Sequence, residues 1–185
     1  GSVSAVLNGK SIDTSLGFTP NSGIMMGTRS GDIDSSIIPF IVKEAGLSLS
    51  EVDNILNKKS GLLGVSKKYS DSRDIENGIK NGDELCILAQ EIYVRKIVEY
   101  IAKYYVLLGG CDAIVMTAGV GENSINTRKQ IIEKLSVLGI ELDEERNNIR
   151  GEEAKITKDS SKIPVWVIPT DEELMIARDT YNLTK

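Results

Sequence analysis

The chain has no histidine among its 185 residues, and only two cysteines, four prolines, two phenylalanines and one tryptophan. The missing histidine removes the commonest general base, metal ligand and proton switch of chemistry near neutral pH. If the protein is an enzyme, part of its chemistry lies elsewhere. Cys86 and Cys111 stand alone without CxxC spacing, which reads as buried, reduced thiols and fits a cytoplasmic origin. No apolar run approaches the roughly 20 residues of a membrane span, and no charged-then-apolar leader opens the sequence. A soluble, untargeted chain with no membrane partner is the expectation. Positive charge is also short: 22 Lys and Arg stand against 27 Asp and Glu, a net charge of -5. That balance argues against sequence-independent binding to nucleic acid, which needs a basic face to neutralise phosphates. An anionic ligand would have to be held by local devices.

What is present is ordinary globular material, 41% hydrophobic and 26% charged. It is long enough to bury one substantial core, and a single domain over 1–185 is predicted. Alternation on both sides of Asn8-Gly9 predicts an opening β-hairpin, because that dipeptide accommodates the positive φ angles of a type I′ turn. The loop "TPNSGIMMGTRSGDID" follows. Asp32 or Asp34 is expected to cap the next helix, which Gly46 closes. A second helix is bracketed by Ser48 or Ser50, Glu51 and Gly61. Apolar residues then recur every three or four positions from Ser72 to Leu108, broken at Asn81-Gly82, which predicts a short helix and then a long one. A strand at Asp112–Thr117, a helix from Ser124 to Leu138, a strand in "KIPVWVIP" and a closing helix from Thr170 complete an α/β pattern of helices on a mixed sheet. The polar "GEEAKITKDSSK" is at most a mobile hairpin.

Three segments invite a functional reading, each beside a plainer one. "TAGVGENS" joins a strand to a helix through glycines, a layout that lets backbone N–H groups and a helix dipole face an anion; it equally suits a structural turn, since no Walker Gly-Lys-Ser/Thr follows. Arg29 in "MGTRSGDID" has little bulk around it and could fork onto phosphoryl oxygens, or pair with Asp32 at the surface. In "PTDEELMIARD", Thr170 reads as a helix cap. Asp171, Glu172 and Glu173 suit the first turn, or one carboxylate holds Mg²⁺ beside a nucleotide. "SDSRD" at 70–74 reads as a helix cap.

Taken together and in this order, "DTSLGFTPNSGIMMGTRSGDID", "DAIVMTAGVGENS" and "VIPTDEELMIARDT" resemble the signature segments of the acetate kinase family, within the sugar kinase, heat-shock ATPase and actin superfamily. The resemblance runs the length of the chain but covers only the C-terminal half of such an enzyme. It implies a ribonuclease H-like, actin-type ATPase domain, with ATP/ADP and Mg²⁺ as cofactors and acetate/acetyl phosphate as substrate and product. Arg29 then matches the arginine that stabilises the phosphoryl group in flight, and Pro20 a wall of the acetate methyl pocket. Asp71, Ser72 and Arg73, with Gly119, Val120, Gly121, Glu122 and Asn123, match the segments around the adenosine. Glu172 matches the Mg²⁺-binding glutamate, although Asp171 stands where an Asn is expected. The resemblance further implies a homodimer built largely through this half. The N-terminal half, a partner absent here, would carry the Asn/Ser phosphate loop, the substrate-binding Arg, the catalytic Asp and a histidine. A stretch His-Leu-Gly-Asn-Gly that handles phosphates would lie just before the hairpin. The fragment alone is therefore expected to be catalytically incomplete. Rival readings are the same fold acting on propionate or butyrate, and an interaction module with no ligand site, whose long helix packs on a partner.

Overall fold

The chain opens with the hairpin that Asn8-Gly9 dictates. In the computed structural model, which describes residues 1–185, β1 (Ser4–Leu7) and β2 (Lys10–Thr14) pair antiparallel, with a register shift between Ala5 and Val6. Asn8 at φ 52° and Gly9 at φ 76° provide the two positive angles of a type I′ turn. The residues gather into two compact units, Gly1–Gly110 and Cys111–Lys185, a subdivision that composition does not reveal.

The first unit is the hairpin followed by five helices. α1 (Ile37–Ala45) ends on Gly46 in the left-handed region. Its N-cap is Ser36 rather than either predicted aspartate. Asp34 instead accepts from the Ser36 amide, one turn early, and Asp32 accepts from Gly23 N–H and the Tyr100 hydroxyl. α2 (Leu49–Lys58) forms the capping box of Ser48 with Glu51. Gly61, predicted to close that helix, opens a further one, α3 (Gly61–Ser66). α4 (Ser72–Lys80) and α5 (Glu84–Leu108) are the predicted short and long helices. Asp83 caps α5 by accepting from the Leu85 and Cys86 amides, and Gly109 ends it. The stripe Cys86, Ala89, Tyr93, Ile97, Ile101 and Tyr104 keeps the spacing of one helix face, and it is buried. α5 packs on α3, α4 and β1.

The second unit holds a mixed sheet in the order β3 (Ile114–Met116), β5 (Val165–Val167), β4 (Ala154–Lys155). β3 and β5 run parallel and β4 antiparallel to β5, so the polar segment expected as a mobile hairpin supplies a sheet strand. Between β3 and α7 (Ile125–Lys134) the glycine segment coils into its own short helix, α6 (Ala118–Asn123). A 3-10 turn at Ser136–Leu138 replaces the predicted end of the longer helix. Val165, Val167, Ile131, Ile132, Leu135 and Ile156 fill the core. Burying side chains of this size contributes roughly 1.5–3 kcal/mol each. α8 (Glu172–Leu183) closes the chain and buries none of its residues. No helix is long and apolar enough to cross a membrane.

Candidate functional site

In the first unit, the loop bearing Arg29 is held from beneath. Amides of Ser60, Leu62 and Leu63 donate to the carbonyls of Thr28, Met26 and Gly27 at 3.0, 2.8 and 2.9 Å, and Ser30 N–H donates to Leu56 O at 2.9 Å. Gly61 makes this seat possible. It has φ +64°, and a Cβ there would lie 2.1 Å from the Met26 carbonyl oxygen and 2.7 Å from that of Arg29. The loop is thus a fixed platform and not a free surface turn. Asp32 fastens its far end to Gly23 and to Tyr100 of α5.

On that platform the half-buried Arg29 makes no ion pair with Asp32, whose two oxygens accept from Gly23 and Tyr100 instead. Its Nη1 donates to the Pro20 carbonyl at 3.2 Å and approaches the Met26 sulfur at 3.9 Å. Arg29 and Pro20 are therefore in direct contact, and the remaining guanidinium donors face no carboxylate. The segment at 71–73 is brought to the same loop: a Cβ on Gly27 would lie 2.6 Å from the Ser70 carbonyl oxygen. Asp71 caps α4 by accepting from the Arg73 amide at 2.8 Å. The Arg73 guanidinium folds back in a two-pronged pair, Nε to Oδ1 at 3.0 Å and Nη2 to Oδ2 at 2.6 Å. That pairing with Arg73 lowers the Asp71 carboxyl to about 2. Ser72 is the first residue of α4.

In the second unit, the segment Gly119, Val120, Gly121, Glu122, Asn123 lies at the carboxyl end of β3, as α6. Sequence reasoning places an open glycine turn here and a helix start after it; the structure gives a helix of its own, entered through Ala118 at φ 57°. Asn123 Nδ2 closes it by donating to the Gly119 carbonyl at 3.0 Å. A Cβ on Gly119 would meet nothing within 4 Å, whereas one on Gly121 would stand 3.1 Å from the Met116 carbonyl carbon. Gly119 faces open space and Gly121 packs on β3.

Two charged side chains fix this segment, and only one was singled out from sequence. Glu122 Oε1 accepts from Ala118 N–H at 2.7 Å, Thr170 N–H at 2.9 Å and the Thr170 hydroxyl at 3.1 Å. Arg128, on α7, is fully buried. Its five N–H groups go to Asn147 Oδ1 and to the carbonyls of Gly121, Glu122, Asn147 and Ile149, at 2.7 to 3.1 Å. The guanidinium inventory is thus exhausted without a carboxylate. Burial, and then the charge of Arg150, push its pKa down from the ordinary arginine value. Within "NTRKQ" this arginine looks like any residue of a solvated helix face, and only the long-range partners Asn147 and Ile149 reveal its role.

Glu172 begins α8, whose N-cap is Asp171, accepting from Leu174 N–H at 2.9 Å. Thr170 is therefore not the cap; it belongs to Glu122. Aspartate caps as well as the asparagine expected there. Glu172 is exposed, and its carboxylate holds no partner in the chain. No group of three or more acidic, histidine or cysteine side chains converges on one point. A lone free carboxylate suits Mg²⁺, which keeps several waters and is bound through one or two carboxylates plus phosphates.

Comparison with known proteins places these residues in context. The acetokinase-family model matches residues 1–178. An acetate kinase of Fervidobacterium nodosum is 56% identical over 184 residues, covering 98% of this chain and 45% of the relative. Among solved structures, a Porphyromonas gingivalis acetate kinase superposes with TM-score 0.94 at 46% identity, covering 100% of this chain and 46% of that one. A propionate kinase from Francisella tularensis gives TM-score 0.90 at 45% identity, over 95% of this chain and 45% of its own length. The chain spans slightly under half the length of the relatives it matches.

Proposed function

The chain belongs to the acetokinase family, and from that premise we propose that it is the C-terminal, nucleotide-binding half of an acetate kinase. The fold is the family's α/β, actin-type ATPase kind, with helices on a mixed sheet. The whole enzyme would transfer the ATP γ-phosphoryl group reversibly to acetate, giving acetyl phosphate and ADP. Such in-line transfer asks the protein for alignment and for positive charge on the equatorial oxygens rather than for covalent chemistry.

Arg29 carries the reading. It is a half-buried guanidinium on a fixed loop, with its donors unspent on any carboxylate and with Pro20, the acyl-pocket residue, against it. There it would stabilise the phosphoryl group through charge-assisted hydrogen bonds. Asp71, Ser72 and Arg73 and the Gly119–Asn123 segment would hold the nucleoside. Glu172 would hold Mg²⁺, whose charge neutralises that developing on the phosphates. Leu174, Met175, Ile176 and Tyr181 of α8 stand exposed, which supports the missing N-terminal half as a partner. A homodimer and a cytoplasmic location belong to the same reading. By itself the chain would bind nucleotide without turnover. A second reading, propionate as acceptor, is favoured by the nearly equal likeness to the propionate kinase; it changes the acyl pocket and leaves the nucleotide half as described.

Calorimetric titration with Mg-ADP tests the proposal. Saturable binding that weakens in Gly119→Trp and Arg73→Ala is the expected result. Gly119 is the better block because Gly121→Trp would also collide with β3. No binding by well-folded protein would overturn the nucleotide reading and leave the interaction module.

A further inference from the structure

We infer that Glu122 is a positioning residue that fastens the glycine segment to the start of α8, so that nucleotide and Mg²⁺ sites move as one. The inference rests on the nucleotide reading above and refines what Glu122 does within it. Sequence resemblance places Glu122 among the residues around the adenosine. Its geometry is turned inward. One oxygen, Oε1, takes all three hydrogen bonds, one from the Ala118 amide that opens α6 and two from Thr170.

Ala118 follows β3 and Thr170 follows β5, and these strands are parallel neighbours. Both loops therefore leave the same edge of the sheet, where open α/β folds place their ligands. A single residue, the α8 cap Asp171, separates Thr170 from Glu172. The Glu122 side chain ties the two loops together by hydrogen bonds. Thr170 adds its backbone amide and hydroxyl, and with the Ala118 amide they hold the Glu122 carboxyl below its ordinary value. It is an anion at any pH near neutral, and charge-assisted bonds of this kind are about twice as strong as neutral ones. Arg128 fixes the other side of the segment through the Gly121 and Glu122 carbonyls. The segment thus has a rigid back and one adjustable tie, and that tie leads to the carboxylate proposed to hold the metal.

Amide hydrogen exchange and calorimetry on Glu122→Ala and Glu122→Gln test this. In Glu122→Ala the amides of Ala118 and Thr170 should exchange at least about tenfold faster, while Ile168, bonded to Met116 in the strand ladder, keeps its protection. Glu122→Gln, which retains the Oε1 acceptor, should restore most of the protection at both amides. In Glu122→Ala the affinity for Mg-ADP should fall at least about fivefold more than the affinity for metal-free ADP. Unchanged exchange, or no restoration by Gln, overturns the tie. An equal loss of metal-free and Mg-ADP binding makes Glu122 a direct ligand contact and overturns the coupling. Wild-type protein that binds neither form overturns the nucleotide reading itself, an outcome the exchange data separate from failure of the tie.

Discussion

Replacing Arg128 by Met keeps the aliphatic stem and deletes five donors at once. The magnitude follows from what those donors hold. Five intramolecular hydrogen bonds at about 1 kcal/mol net each give a loss near 5 kcal/mol. Against this, the variant no longer buries a guanidinium, and relief of that desolvation returns several kcal/mol. The carbonyls of Gly121 and Ile149 and the side-chain oxygen of Asn147 lose the Arg128 donor, while the Glu122 and Asn147 carbonyls keep the amides of Gly151 and Ile149. A net destabilisation of about 2–3 kcal/mol results, the range of a broken buried network. Trp166, the one tryptophan, lies in β5 of the same unit, so urea unfolding followed by its fluorescence reports on the right region. With a denaturant slope of about 2 kcal/mol per molar, the midpoint should fall by about 1 M or slightly more. A midpoint within about 0.2 M of wild type would show that the network contributes nothing net, and would refute the view that Arg128 holds the glycine segment.

Three further outcomes follow from the same geometry. Gly61→Ala, forced to a positive φ and into the Met26 carbonyl, should cost about 2 kcal/mol or more, read as a lower midpoint in thermal unfolding, whereas Gly119→Ala, in open space, should change stability by less than about 1 kcal/mol. Asp71 has a folded pKa below its unfolded one, so its contribution is complete above the unfolded value and disappears as pH falls from about 4 through about 2; because the pair is exposed, the loss is about 1 kcal/mol, and Asp71→Asn should flatten that part of an acid-unfolding curve. Tyr93 is the opposite case: burial raises its phenol to about 12, so stability is complete below the unfolded value near 10 and is lost as pH climbs through about 12, which Tyr93→Phe should remove in an alkaline unfolding series.

How much of this was legible in the sequence depends on the range of the interactions involved. The Asn8-Gly9 hairpin, the Ser48 and Glu51 capping box and the buried stripe of α5 are set by residues a few positions apart, and each was readable. α6 was not, because glycines in "AGVGEN" suggest an open turn; its coiling depends on Asn123 reaching Gly119 and on the distant Thr170 and Arg128. α3 escaped because six residues with two leucines carry too little periodicity. β4 was hidden in a polar segment whose two paired residues are chosen by β5. At the candidate site, the proximity of Pro20 and Arg29, nine positions apart, follows from the glycine-bearing loop between them, yet the choice between a free Arg29 and an Arg29–Asp32 pair required seeing Tyr100 and Gly23 take the aspartate. Arg128 and Gly61 left no readable trace, since Asn147 and Ile149 for the one and Met26 and Arg29 for the other are 19 or more residues away.

The claim that this half holds the nucleotide is tested most directly by nuclear magnetic resonance, following backbone amide shifts as Mg-ADP is added. The account predicts saturable shifts concentrated at Asp71–Arg73, at Gly119–Asn123 and around Thr170–Glu172, with the hairpin tip at Asn8-Gly9 unmoved. Shifts absent from all three segments, or confined to surfaces away from them, would contradict it.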